Sequence, residues 1–275
     1  MSPTTDGGSL PAPNESVGQA IEGAPVLSPI EPPAGTEQLR VKWVRAINPG
    51  AQPMLMAIAR PDGAGPFSLI VLLHGTHGFA QEYVRMAQDL AQGGFIAVAA
   101  CWFSGQSGLG TRYVTPPIEC PPLPLVAPQS PEAVARVATI VRAVREIPGA
   151  RPDRIALFGH SRGAGAATAY AMQASEVRAL ILNSSGYPPE YTARAAEIQA
   201  AVLMLHGEAD SPADGGSAVT GAQMAHDFEA ALRRASNSVE AKYYEKGGHN
   251  SLFSDPAQRH DEVRRILEFL RQHNR

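Results

Sequence analysis

The chain has 275 residues, 44% hydrophobic and 18% charged, with a formal net charge of -3. That length buries a sizeable core without staples, and the 23 basic residues are scattered rather than gathered on a basic face, which excludes a nucleic-acid footprint. The longest apolar run, Phe95–Phe103, has nine residues, against the roughly 20 of a membrane span.

Residues 1–38 are rich in Pro, Gly, Ser and Glu without periodicity, and read as a loosely draped arm before a single domain over 39–275. No charged start followed by an apolar core marks a signal peptide, so a cytoplasmic location is the expectation. From Leu39, "LRVKWVRAI" and "QPMLMAIA" alternate apolar and polar residues around "NPG", an antiparallel hairpin. "FSLIVLL" is a continuous apolar run, as in a strand covered on both faces. A helix over about 80–92 leads to the strand "FIAVAAC", and a proline-rich loop over 104–129 follows. Two readings of Cys101 and Cys120 stay open: a buried small residue plus a loop thiol, or a disulfide pinning that loop, which would imply an oxidising compartment and export.

Ser130 as N-cap and Pro131 at the first helical position open the helix "PEAVARVATIVRAVREI". The strand "RIALF", the helix "RGAGAATAYAMQ" and the strand "VRALILN" come next. A helical stretch near 190–198, the strand "AAVLML", a helix over 218–235, the strand "VEAKYYE" and a C-terminal amphipathic helix complete the chain. Strand–helix units after an antiparallel start predict an α/β sandwich: a mostly parallel central sheet with an N-terminal hairpin and helices on both faces. Ligands in such sheets sit beyond the carboxyl ends of the strands, so the chemistry is sought there.

"GHSRG" follows one strand and opens a helix of small residues, the setting of a nucleophile elbow. Glycine at 159 and 163 removes the clash that side chains would make at so tight a turn, and Ser161 stands at the positive end of the helix. Serine needs a base. In the chain order serine, acid, histidine, Asp210 follows the strand ending "LMLHG" and His249 lies on the glycine-softened "KGGHNS". Asp214 competes for the acid, but it adjoins Gly215–Gly216, where a turn-forming aspartate is the simpler reading. Oxyanion donors are expected from the amides of Arg162 and Thr76, with His77 as second choice for the latter. His74 and His206 read as structural residues tying loops. A metal site from His74, His77 and His206 lacks any supporting motif.

With these residues in place the chain resembles the α/β-hydrolase superfamily, in its dienelactone-hydrolase-like branch, over residues 39–275. The likeness rests on "LLHGTHG", "GHSRGAG", "HGEAD" and "GGHNS" in that order. Dienelactone hydrolases proper carry cysteine at the elbow, whereas this chain carries Ser161. The resemblance therefore implies a serine esterase with Ser161, Asp210 and His249 as triad and Thr76 and Arg162 at the oxyanion. It implies no cofactor and no metal.

The stretch after "RALILN", a frequent lid position, is short, which implies an open pocket. Trp102, Phe103 and Tyr187, each just past a strand, and His77 are the candidate pocket-lining residues. The expected activity is hydrolysis of small or medium carboxylic esters through an acyl-enzyme, with a small-molecule ester as the expected partner and no nucleic acid. The alternatives are a peptidase or acyltransferase with the same triad, or a non-catalytic ligand-binding member of the fold.

Overall fold

Five apolar residues in a row, Leu69–Leu73, suit a strand with helices on both faces, and Phe67–Leu73 (β4) occupies that place. The computed structural model describes residues 25–48, 52–105 and 112–275. Along β4, Leu69, Val71 and Leu73 face one apolar cluster and Ile70 and Leu72 the other. All five are fully buried.

Around β4 lies a nine-stranded sheet. Its other strands are Val26–Pro29 (β1), Lys42–Ile47 (β2), Met54–Ala59 (β3), Ile96–Ala100 (β5), Ala150–His160 (β6), Val177–Asn183 (β7), Ala201–Gly207 (β8) and Val239–Tyr244 (β9). The order across the sheet is β1-β2-β3-β5-β4-β6-β7-β8-β9. Pairings from β1 through to β5 are antiparallel, and all those from β5 through β9 are parallel. The "NPG" turn expected between β2 and β3 falls largely on 49–51, outside the described residues.

Helices Gln81–Gln92 (α1) and Pro256–His273 (α7) cover one face. Pro131–Arg145 (α2), Arg162–Ala171 (α3) and Ala222–Arg234 (α5) cover the other, and two short helices, Pro189–Ala193 (α4) and Ser251–Ser254 (α6), sit in connecting segments. The α2 cap is the one the sequence specifies: the Ser130 hydroxyl accepts from the Ala133 amide at 3.2 Å. Among the described residues, no helix is long and apolar enough to cross a membrane.

The structure changes the sequence reading in one place and decides an open one in another. β1 belongs to the sheet although it lies in the stretch read as a loose arm. Val26–Pro29 pairs with Val44–Ile47, and its one proline, Pro29, suits an edge strand, where a missing donor costs little. The rest of that arm, 1–24, is outside the described residues. The open reading was that of Cys101 and Cys120, which form a disulfide. It ties the proline-rich loop to the end of β5, and other bonds hold the loop alongside. Ser104 pairs with Leu123 and Pro121, and the buried Arg136 guanidinium donates to the carbonyls of Trp102 (3.2 Å) and Pro124 (2.7 Å).

Candidate active site

Strand order decides where chemistry collects. The chain leaves β4 toward β5 on one side and returns to β6 on the other, so the crevice beyond the carboxyl ends of β4 and β6 is a topological switch point. Thr76 follows β4 and Ser161 follows β6, while Asp210 and His249 follow β8 and β9 on the same edge.

Ser161 has φ 54° and ψ -121°, a conformation that costs a non-glycine residue about 1–3 kcal/mol. Its surroundings hold it there. The Ser161 amide donates to the Asn183 carbonyl at 2.8 Å, and its carbonyl accepts from the Ala164 amide at 3.0 Å. A Cβ at Gly159 would lie 2.4 Å from the Ala164 backbone, and one at Gly163 would lie 2.1 Å from the Leu73 carbonyl oxygen of β4. Both glycines are therefore steric necessities.

The elbow presents the Ser161 hydroxyl to His249 Nε2 at 3.0 Å, and His249 Nδ1 donates to Asp210 Oδ2 at 2.7 Å. The carboxylate of Asp210 is fully buried. Its other oxygen accepts from the Thr220 hydroxyl at 2.9 Å. His206 Nε2 donates to the Thr220 carbonyl at 2.9 Å and lies 3.5 Å from Asp210 Oδ2. Asp214 is elsewhere: its carboxylate packs against Gly248 and its carbonyl accepts from Asn250 Nδ2 at 2.9 Å.

A cleft of about 300 Å³ opens at the serine, lined by Thr76, Pro128, Arg162, Tyr191, Val219 and Thr220 among others. Among the described residues no other protein group engages the amides of Thr76 or Arg162. The Arg162 side chain braces the cleft wall, donating to Thr76 Oγ1 at 3.2 Å and the Val126 carbonyl at 2.8 Å. A larger groove, about 700 Å³, lies near Ile30, Arg45 and Cys120, but it holds no serine or histidine. The cleft at Ser161 is the candidate site.

The model of the dienelactone hydrolase family matches residues 54–273. The chain belongs to the dienelactone hydrolase family. Among solved structures, a Klebsiella pneumoniae protein named as a dienelactone hydrolase superposes with a TM-score of 0.63 at 18% identity, covering 82% of this chain and 95% of that one. The esterase of Pyrococcus furiosus gives 0.61 at 14% identity, over 91% and 93% of the two chains. A dienelactone-hydrolase-like promiscuous phosphotriesterase from metagenomic libraries gives 0.62 at 16%, over 83% and 98%. At these identities the likeness is one of fold: this is an α/β hydrolase. None of the curated proteins matches the sequence.

Four pocket-lining expectations for this dienelactone hydrolase family member are corrected by the structure. Trp102 is fully buried in the core, its indole N–H donating to the His74 carbonyl at 2.9 Å. Tyr187 stacks on Phe228, with ring centroids 4.5 Å apart and planes 12° from parallel. His77 turns inward, with Nε2 2.8 Å from the Tyr83 hydroxyl. Phe103 is likewise buried, against Trp102 and His74. The aromatic wall of the cleft is instead Tyr191, from the short segment after β7, whose hydroxyl donates to the Gly165 carbonyl at 2.9 Å.

Burial sets the charge state around the site. It lowers the pKa of His74 to about 4 and of His77 to about 3, and pushes His160 well below the usual imidazole value and His206 below it. These four are neutral at pH 7. His74 donates to the Gly75 carbonyl and His206 to that of Thr220. Among the described residues, no three His, Cys, Asp or Glu side chains gather as metal ligands would.

Sequence reasoning missed Thr220, Asn183 and Tyr83. Thr220 was hidden inside an expected helix over 218–235. In fact α5 starts at Ala222, because the Thr220 hydroxyl and carbonyl are bound by Asp210 and His206.

Proposed function

We propose that the protein is a serine carboxylic-ester hydrolase that works on small or medium esters through an acyl-enzyme. The observation that carries this reading is the unbroken relay from Ser161 Oγ through His249 to Asp210, at 3.0 and 2.7 Å. Ser161 Oγ attacks the ester carbonyl carbon while His249 Nε2 takes its proton, and the carbonyl electron pair moves onto oxygen. The amides of Thr76 and Arg162 hold that oxyanion, and Asp210 stabilises the imidazolium.

Collapse breaks the bond to the alcohol oxygen, which leaves with the proton from His249. A water then gives its proton to His249 and attacks the acyl carbon. Ser161 departs with that proton, and the acid is released. A cleft of about 300 Å³ sits at the small end of ligand sites, which supports compact esters. The Cys101–Cys120 bridge supports an oxidising compartment as the working environment.

The test is Ser161→Ala assayed on p-nitrophenyl butyrate. The expected loss in kcat is at least about 1000-fold, with fluorophosphonate labelling abolished. Unchanged turnover by a folded Ser161→Ala protein would refute the proposal.

A further inference from the structure

Behind the loop that carries Thr76, the structure holds a hydrogen-bonded hub with no direct part in the chemistry. Tyr83, on α1, is fully buried. Its hydroxyl nonetheless meets three groups: the Gly75 amide at 3.0 Å, His77 Nε2 at 2.8 Å and His160 Nδ1 at 3.0 Å. The far nitrogen of His160, Nε2, lies 3.1 Å from the carbonyl oxygen of His249.

The ends of this run fix its protons. A carbonyl only accepts, so His160 Nε2 carries hydrogen, and its Nδ1, bare in the neutral ring, accepts from the Tyr83 O–H. That hydroxyl has no second proton, so it accepts from both the Gly75 N–H and His77 Nε2–H. Each donor has an acceptor and no member need be charged, which suits a site closed to water. The run joins the two loops whose relative position matters most. At one end are residues 75–77, with the oxyanion amide; at the other is the backbone of the general base.

We propose that Tyr83 is a positioning residue whose hydroxyl, through His160, locks the Gly75–His77 loop to the carbonyl of His249 and so fixes the spacing between oxyanion donor and base. The inference rests on the ester-hydrolase reading of the same site. A packing role alone would reside in the ring, which makes an edge contact with Phe253 at 5.2 Å between centroids. Tyr83→Phe keeps that ring and removes only the hydroxyl. It leaves the Gly75 amide and two imidazole nitrogens without their partner, free to shift.

A displacement of about 1 Å costs on the order of 100-fold, and loss of an oxyanion donor about 100- to 1000-fold. A loosened loop should therefore lower kcat about 10- to 100-fold while KM stays within about threefold. The experiment compares the parent and Tyr83→Phe on p-nitrophenyl butyrate well below the variant's melting temperature. It also measures inhibition by an alkyl trifluoromethyl ketone, whose serine adduct carries an oxyanion.

The inhibition constant should rise by the factor by which kcat/KM falls, a match that a merely structural role does not produce. Values of kcat and inhibition constant within about threefold of the parent would overturn the proposal. Should Tyr83→Phe fail to fold, His77→Leu removes a single arm of the hub. A fall in kcat beyond about fivefold supports the proposal, and a smaller change overturns it. An active parent with indifferent variants overturns the hub alone. A parent that neither hydrolyses the ester nor takes a fluorophosphonate overturns the hydrolase reading, and this inference with it.

Discussion

Lowering the pH from 7 to 5 sets the buried histidines against the fold. His74, His77 and His160 have native pKa values of about 4, about 3 and well below the usual one, all through burial. Unfolded, each titrates near 6.5. The unfolded chain therefore binds more protons than the native one below pH 6.5, and stability falls as pH falls. His74 and His77 each remove about 1.4 kcal/mol per pH unit below that value, so the two together remove about 4 kcal/mol by pH 5, and His160 adds to the loss.

One group opposes them. Burial raises Glu262 to about 8, so this carboxyl is protonated in the native state and ionised in the unfolded one between about pH 4.5 and 8. Its contribution to stability grows as pH falls, by about 2–3 kcal/mol over the same interval. For His74, His77 and Glu262 together the net expectation is a loss of about 1 kcal/mol, which His160 deepens. The lowered pKa of His206 adds to that loss. Urea denaturation followed by circular dichroism at pH 7, 6 and 5, at constant ionic strength, measures this directly. A stability that stays level or rises toward pH 5 would refute the reasoning.

Other perturbations separate the parts of the site. Asp210→Asn should lower kcat by about 10000-fold, whereas Asp214→Asn should stay within about fivefold; the reverse order in kinetic assays would remove Asp210 from its role. Thr220→Val deletes the hydroxyl that donates to Asp210 Oδ1, a charge-assisted bond, and should lower kcat about 10-fold with KM nearly unchanged. An unaltered kcat would show that the carboxylate is held without it. Replacing Cys101 and Cys120 together by alanine opens a loop with a sequence separation of 19. Denaturation should then show a loss of about 3 kcal/mol, and a loss below about 1 kcal/mol would mean that Arg136 and Ser104 already hold the loop.

The strands legible in the sequence were those with a continuous apolar run or clean alternation, and they include every strand that delivers a residue to the site. β1 escaped because four residues ending in proline, with little burial, carry no period to read. α6 has only four residues and no side-chain cap. Ser161, Asp210 and His249 stand out in the sequence because each lies one to five residues past a strand with a glycine within three positions. The pocket wall was not. Trp102 and Tyr187 also follow strands, but beyond a strand's end the alternation that assigns a face is lost. Their contacts with the His74 carbonyl and Phe228 are long-range facts.

The sharpest contrast lies within one segment, "LLHGTHGFAQEYV". Its histidines and glycines draw attention as a loop beyond a strand, and Thr76 does line the cleft. Yet the group that fixes this loop, Tyr83, reads as one more apolar position on the buried face of α1. Its hydroxyl gains significance only because β4 and β6 are neighbours, bringing His160 within 3.0 Å. Topology carries the reacting groups to one edge of the sheet, and pattern in the chain foretells that much. The spacing among them is set by buried polar partners drawn from separate elements, and a single chain read in order holds no sign of those pairings.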